Sequence, residues 1–154
     1  ANRMRRMSDA FVDACGDWLA AQGLTAPPRS ASTLRLLAEG APLSVTQIAA
    51  RIRLSHPFVV RMVASLEHIG LVAVSPDAAD GRRRMVALTR KGREEAAILN
   101  RAGPSMAAAY AELFADAGVD LFAALEAVEA AHRRRSLAQR LCDLTTEDSQ
   151  CEPC

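Results

Sequence analysis

Apolar side chains recur at steps of three and four along most of the chain and alternate only in one short stretch, which predicts a mainly α protein with a small β-hairpin. Residues 3–22 place Met4, Met7, Phe11, Cys15, Trp18 and Leu19 on one helical face. Gly23 stops that helix, and Pro27-Pro28 makes a rigid connector. A second helix is expected from about Ser32 to Glu39, with Leu34, Leu36 and Leu37 inward and Gly40 behind it. From Lys91 a helix rich in Ala, Glu and Leu begins, and Gly103-Pro104 predicts a kink or interruption in it. Met106, Tyr110, Leu113 and Phe114 continue its apolar face. Gly118 ends it, and Asp120 is expected to cap one last helix carrying Leu121, Leu125, Val128, His132, Leu137 and Leu141.

The stretch from Leu43 to Gly92 is the most informative. Ser44 and Gln47 have the spacing of a capping box, and Ile48, Ala49 and Ile52 turn inward behind it. The helix breaks at Arg53-Leu54. Ser55 sits at the cap of the next helix and Pro57 in its first turn, where a missing N–H costs little. Val59, Met62, Val63, Leu66 and Ile69 then repeat at helical steps until Gly70. Two helices joined by a three-residue turn have the helix-turn-helix pattern. Leu71 to Val74 and Met85 to Thr89 read as strands around a turn rich in Asp, Ala and Gly, with Arg82, Arg83 and Arg84 at or beside the tip.

Composition is that of an ordinary soluble domain, half hydrophobic and 24% charged, with a formal net charge of +1. The charge is polarised. Arginines gather at residues 3–6, 51–61, 82–93 and 133–140, and acidic residues at 112–129 and in the tail. Such a distribution fits a face that meets a polyanion, or a set of solvated helix faces. No run approaches the eighteen apolar residues of a membrane span, and the N-terminal residues lack an apolar signal core, so the expected location is the cytoplasm. The three histidines stand at spacings that suggest no zinc or triad constellation, and no nucleophile motif or phosphate loop is present, so an enzyme is not expected.

The helix pair and hairpin resemble the winged helix-turn-helix of the multiple-antibiotic-resistance-regulator (MarR) family. The strongest match is Asp80-Gly81-Arg82 followed by Val86-Ala87-Leu88-Thr89-Arg90-Lys91-Gly92, similar to the family's D-x-R wing tip and V-x-L-T-x-x-G entry into the long helix. Leu66-Glu67 and Gly70-Leu71-Val72 also match, and the outer helices match in order and length. The resemblance implies a single domain over 1–154, mainly α with a small β-hairpin wing. Residues 30–92 would be the DNA-binding lobe, 1–23 and 93–145 a helical dimerisation layer, and 146–154 a cysteine-bearing tail. It implies a homodimer that binds double-stranded DNA at a pseudo-palindromic operator, acting as a repressor released by an effector. Two recognition helices would enter successive major grooves. Arg82 would enter the adjacent minor groove with Asp80 holding it, and Arg83 and Arg84 would meet phosphates. Ser55, His56 and Arg61 would be the polar readers, with Ser44, Arg53, Pro57 and Val60 beside them.

Three positions depart from that pattern. Phe58 and Val60 stand where the family often has hydroxyl side chains, and at least one of them is expected to face the groove. Arg53 stands where the turn often has Gly and would strain a left-handed turn. These departures leave a second reading open, a winged-helix interaction module that has lost sequence-specific DNA binding.

Two kinds of effector are compatible with the residues. Trp18, Met62, Met106, Tyr110 and Phe114 are candidates to line a crevice for a small aromatic or anionic ligand, or are plain core. Cys15, Cys142, Cys151 and Cys154 are candidates for a thiophilic metal or metalloid ion or a disulfide switch, or are incidental. No other cofactor is implied.

Overall fold

A computed structural model of the chain describes residues 2–77, 80 and 83–148, with side chains as far as residue 145. It follows the predicted order with one addition in the sheet and one break in a helix. Helix α1 is Asn2–Ala21, followed by a 3-10 turn at Pro28–Ser30 and α2 at Ala31–Ala38. Strand β1 is Leu43–Ser44, α3 is Val45–Ile52 and α4 is His56–His68. Strands β2 (Val72–Pro76) and β3 (Arg84–Leu88) form the wing, and α5 (Arg90–Ala117), α6 (Leu121–Arg134) and α7 (Leu137–Asp148) complete the chain. The chain divides into two compact units, one up to Met106 and the other from Ala107 on, each with its own packing. Among the described residues no helix is long and apolar enough to cross a membrane.

In the first unit the inward rows of α2, α3 and α4 meet the wing. Leu34, Ile48, Val59, Leu66, Leu71 and Val86 are fully buried together. Each side chain of this size removed from water contributes about 1.5–3 kcal/mol, so these rows hold the helix-turn-helix onto the sheet. Helix α1 joins through Leu19, and Pro28 packs on Gly16, leaving no room there for a Cβ. Asp9 on α1 also accepts from Arg29. Met4, Met7 and Trp18 on α1 are exposed.

Two polar ties fix where α5 starts. Thr89 precedes the helix, and its hydroxyl oxygen accepts from the Gly92 N–H (3.0 Å) while donating to the Gly70 carbonyl (2.7 Å). The Thr89 N–H donates to the Leu71 carbonyl (3.0 Å). Gly92 lies against that same carbonyl, which a Cβ would overlap. One turn further, Glu95 is 4% exposed. Its carboxylate accepts from the Thr25 N–H (3.0 Å), the Ala26 N–H (2.9 Å) and the Thr25 hydroxyl. A buried carboxylate with these donors supplies the connector's backbone with acceptors that water cannot reach.

The structure corrects the helical reading in two places. Helix α5 runs through Gly103-Pro104 without interruption. Proline removes one backbone bond, to the Asn100 carbonyl, and both residues are exposed, so that carbonyl is within reach of water. The expected last helix is two helices. Arg135 is extended (φ −149°, ψ 110°), and Ser136 and Gln139 form a capping box that restarts the chain as α7.

Within the second unit, Tyr110, Phe114 and Phe122 form a ring cluster with centroids 5.0–5.9 Å apart, packing the end of α5 on the start of α6. No residue of α6 is fully buried. Phe122, Leu125 and Val128 on α6, and Leu137, Leu141 and Leu144 on α7, are exposed.

Two substitutions in α5 separate close packing from helix propensity. Gly92→Ala is expected to cost about 2–3 kcal/mol, since the Leu71 carbonyl is fixed backbone. Gly103→Ala, with nothing near its Cβ, is expected to stabilise by about 0.5–1 kcal/mol. Urea unfolding of both variants checks the pair. Glu95→Ala, which strips three donors of their acceptor, is expected to cost about 2–4 kcal/mol in the same measurement.

Candidate nucleic-acid interface

The candidate site starts at a two-residue strand. Leu43 pairs with Val86 and Ser44 with Met85, so β1 lies antiparallel along β3. The sheet order is β1-β3-β2. Ser44 is both the end of this strand and the cap of α3. Its hydroxyl accepts from the Gln47 N–H (3.2 Å), and the Gln47 side chain accepts from the Ser44 N–H (2.8 Å). The pairing therefore sets the N-terminus of α3 beside Arg84, the first residue of β3. Helix N-termini present unpaired N–H groups and the positive end of the helix dipole, which suit an anion.

The turn between the helices is made by Arg53 in the left-handed region (φ 55°, ψ 41°). The Leu54 N–H returns to the Ala49 carbonyl (3.1 Å), closing α3 as glycine would, at a backbone cost of about 1–2 kcal/mol. Ser55 occupies the cap position of α4, but its hydroxyl makes no capping bond. Pro57 falls at the second helical position, as its missing N–H allows. Val59, Met62, Val63 and Leu66 then point inward, leaving His56, Pro57, Val60 and Arg61 on the outside.

Phe58 and Val60 part company. Phe58 is half-buried and packs against the core. Val60 is 45% exposed. It lines a cleft of about 510 Å³ with Ser44, Val45, Thr46, Gln47, His56, Arg83 and Arg84. The cleft thus unites five residues expected from the sequence: Ser44, His56, Val60, Arg83 and Arg84. Thr46 and Gln47 were not anticipated there, although the capping box already put them in the first turn of α3. Arg61 lies elsewhere, on a groove of about 210 Å³ with Pro27, Arg29, Ser30, Phe58, Met62, Ser65 and Leu66. Arg53, Ser55 and Pro57 do not line the cleft.

In the wing, Val72 faces Leu88 and Pro76 faces Arg84. The Asp77 N–H donates to the Arg83 carbonyl (2.9 Å), and the Arg83 N–H to the Asp80 carbonyl (2.8 Å). Asp80 also meets the Arg83 guanidinium at 3.6 Å, both side chains well exposed. Arg82, the expected minor-groove residue, lies outside the described residues.

The other candidate residues are distributed as follows. Trp18, Met62 and Met106 belong to the first unit, and Met62 is core there, its sulfur accepting from the Thr33 hydroxyl (3.2 Å). Tyr110 and Phe114 belong to the second, where they line a groove of about 590 Å³ with Phe122 and the small residues Ala107, Ala111 and Gly118. Cys15 is half-buried on α1 and Cys142 exposed on α7; Cys151 and Cys154 lie outside the described residues. Among the described residues no three His, Cys, Asp or Glu side chains are placed to hold a metal ion.

Capped helices crossing over a three-stranded sheet with an arginine-bearing hairpin define a winged helix-turn-helix. The model of the MarR family matches residues 22–83. The M. tuberculosis regulator MosR, solved in complex with DNA, is 27% identical, with a TM-score of 0.64 over 86% of this chain and 95% of that one. CouR from Rhodococcus jostii RHA1, bound to p-coumaroyl-CoA, is 26% identical, with a TM-score of 0.54 over 83% and 85%. A MarR-family regulator from Rhodococcus sp. RHA1 is 25% identical, with a TM-score of 0.54 over 83% and 87%. No curated protein matches. Over residues 22–83 the chain is therefore similar to the MarR family of transcriptional regulators, and the solved structures named above are similar to it over most of their length.

The two serines at the helix caps should respond differently. Ser44→Ala removes a complete capping box and is expected to cost about 1 kcal/mol. Ser55→Ala removes no capping bond and is expected to stay within about 0.5 kcal/mol of the parent. Thermal unfolding of the two variants side by side distinguishes them.

Proposed function

We propose that the chain is a homodimeric DNA-binding regulator that represses transcription until an effector releases it. The observation that carries this reading is the cleft, where the N-terminus of α3, the outer face of α4 and two wing arginines converge. A duplex offers phosphates at such a helix terminus and base edges to the outer face of the recognition helix. Arg83 and Arg84 supply cations for phosphates, and Arg82 is proposed for the minor groove, where a narrow width concentrates negative potential. The similarity to MosR, a chain solved with DNA, supports the same use of the fold.

Dimerisation is supported by apolar rows without cover. Met4, Met7 and Trp18 on α1, Leu125 and Val128 on α6, and Leu137, Leu141 and Leu144 on α7 are exposed at helical spacing. Rows of this size on helices are ordinarily covered, and a second copy presents the same rows. For the effector, a small aromatic or anionic ligand is the reading favoured here, since CouR was solved with p-coumaroyl-CoA.

Binding to the duplex upstream of the chain's own gene, followed by fluorescence anisotropy across a salt series, tests the function. Affinity is expected to fall steeply with salt, and Arg83→Ala with Arg84→Ala to lower the log–log slope by about 0.9 for each phosphate contact removed. Arg82→Ala is expected to weaken binding as well. A slope unchanged by all three substitutions would favour an interaction module that has lost DNA binding.

A further inference from the structure

Val60 has no packing reason to be where it is. It sits in the second turn of α4, 45% exposed, one turn after His56. The buried row of the same helix, Val59, Met62, Val63 and Leu66, already supplies its contacts to the core. Phe58, the other apolar residue at a position where the sequence led one to expect a groove-facing side chain, is drawn back against that core. Val60 alone of the two is left in the cleft, among Ser44, Thr46, Gln47, His56, Arg83 and Arg84. Apart from Val45, every other side chain there is polar or cationic, as a surface that meets a polyanion would be.

An isopropyl group can neither donate nor accept a hydrogen bond. On the major-groove edge of a base pair the one apolar feature is the 5-methyl group of thymine. We infer that Val60 is a specificity-determining residue, which selects thymine at one position of each half-site by packing against its 5-methyl group. The inference rests on the DNA-binding reading above and adds to it a base and the atom read. It also gives Phe58 a different role, since a half-buried ring supports the helix from behind and selects no base.

The choice of thymine follows from burial. A cytosine at that position would present no methyl and an N4–H₂ donor to an aliphatic surface, leaving that donor without a partner. A purine would present N7 and its neighbour in the same unsatisfied way. Burying one methyl-sized group corresponds to about a fourfold change in affinity.

The test uses the full chain and a pool of random duplexes, from which bound molecules are selected and sequenced. Each thymine of the selected duplex is then replaced singly by deoxyuridine, which keeps the hydrogen-bonding edge and lacks only the methyl. For the parent chain, one position in each half-site is expected to lose about fourfold in affinity. Val60→Ala, at an exposed site where alanine favours the helix, is expected to bind the thymine and deoxyuridine duplexes equally at that position. Recovery of a selected duplex in which no thymine methyl matters would overturn the inference while leaving DNA binding intact. The same holds if Val60→Ala discriminates as the parent does. Failure to select any duplex would instead overturn the DNA-binding reading, and this inference with it.

Discussion

The close approach of Gly92 to the Leu71 carbonyl is the constraint on which the winged helix-turn-helix depends. It lies where the chain has left the recognition helix, run out along the wing and come back to begin α5. The Thr89 N–H and hydroxyl reach the same two carbonyls, of Gly70 and Leu71. The Lys91 ammonium reaches the Ile69 carbonyl (3.1 Å), and the Arg93 guanidinium the Leu88 carbonyl (3.0 Å). Several donors from the first turn of α5 therefore hold the carbonyls at the end of α4 and the root of the wing. Groups that would otherwise be orphaned at a helix end are satisfied by the next helix. Helix α4 and the wing are thereby registered to α5 through their backbone carbonyls, by the Thr89 N–H, the Gly92 approach and three side-chain donors.

The second registration is at the opposite end of the lobe. Two residues of β1 tie the start of α3 to the wing strand β3. Without that pairing, the α3 terminus and Arg84 would have no fixed separation, and the cleft would not be a defined surface. The two ties together explain why side chains distant in sequence line one cleft, Ser44 to Gln47 from the start of α3, His56 and Val60 from α4 and Arg83 and Arg84 from the hairpin. The buried Glu95 adds a third tie, from α5 to the connector that leads into α2.

Much of this was legible in the sequence, because caps and breakers act locally. The capping box at Ser44, the helix break at Arg53-Leu54, Pro57 in a first turn and the hairpin pairing all follow from short-range chemistry, while the left-handed turn at Arg53 was implied by the family resemblance. What escaped depends on partners far along the chain. Strand β1 is too short for an alternating pattern to show. Glu95 looks like any solvated helix glutamate until the connector folds over it. Phe58 and Val60 are equivalent in the pattern, and only the packing of Phe58 against the core separates them. The α6–α7 break is a different case, since Ser136 and Gln139 carried a capping-box signal that the apolar steps of Leu137 and Leu141 masked. Arg82 and the tail thiols Cys151 and Cys154 lie outside the described residues, and their roles rest on the sequence.

The central claim is that one composite surface, built from the α3 terminus, the outer face of α4 and the base of the wing, meets the duplex. Backbone amide chemical shifts of the isotopically labelled chain, followed during titration with a short mixed-sequence DNA duplex at low salt, test it most directly. The account predicts shifts concentrated at residues 44–47, 56–61 and 83–84 that reverse as salt is added. Shifts absent from those three segments, or confined to the exposed rows of α6 and α7, would contradict it.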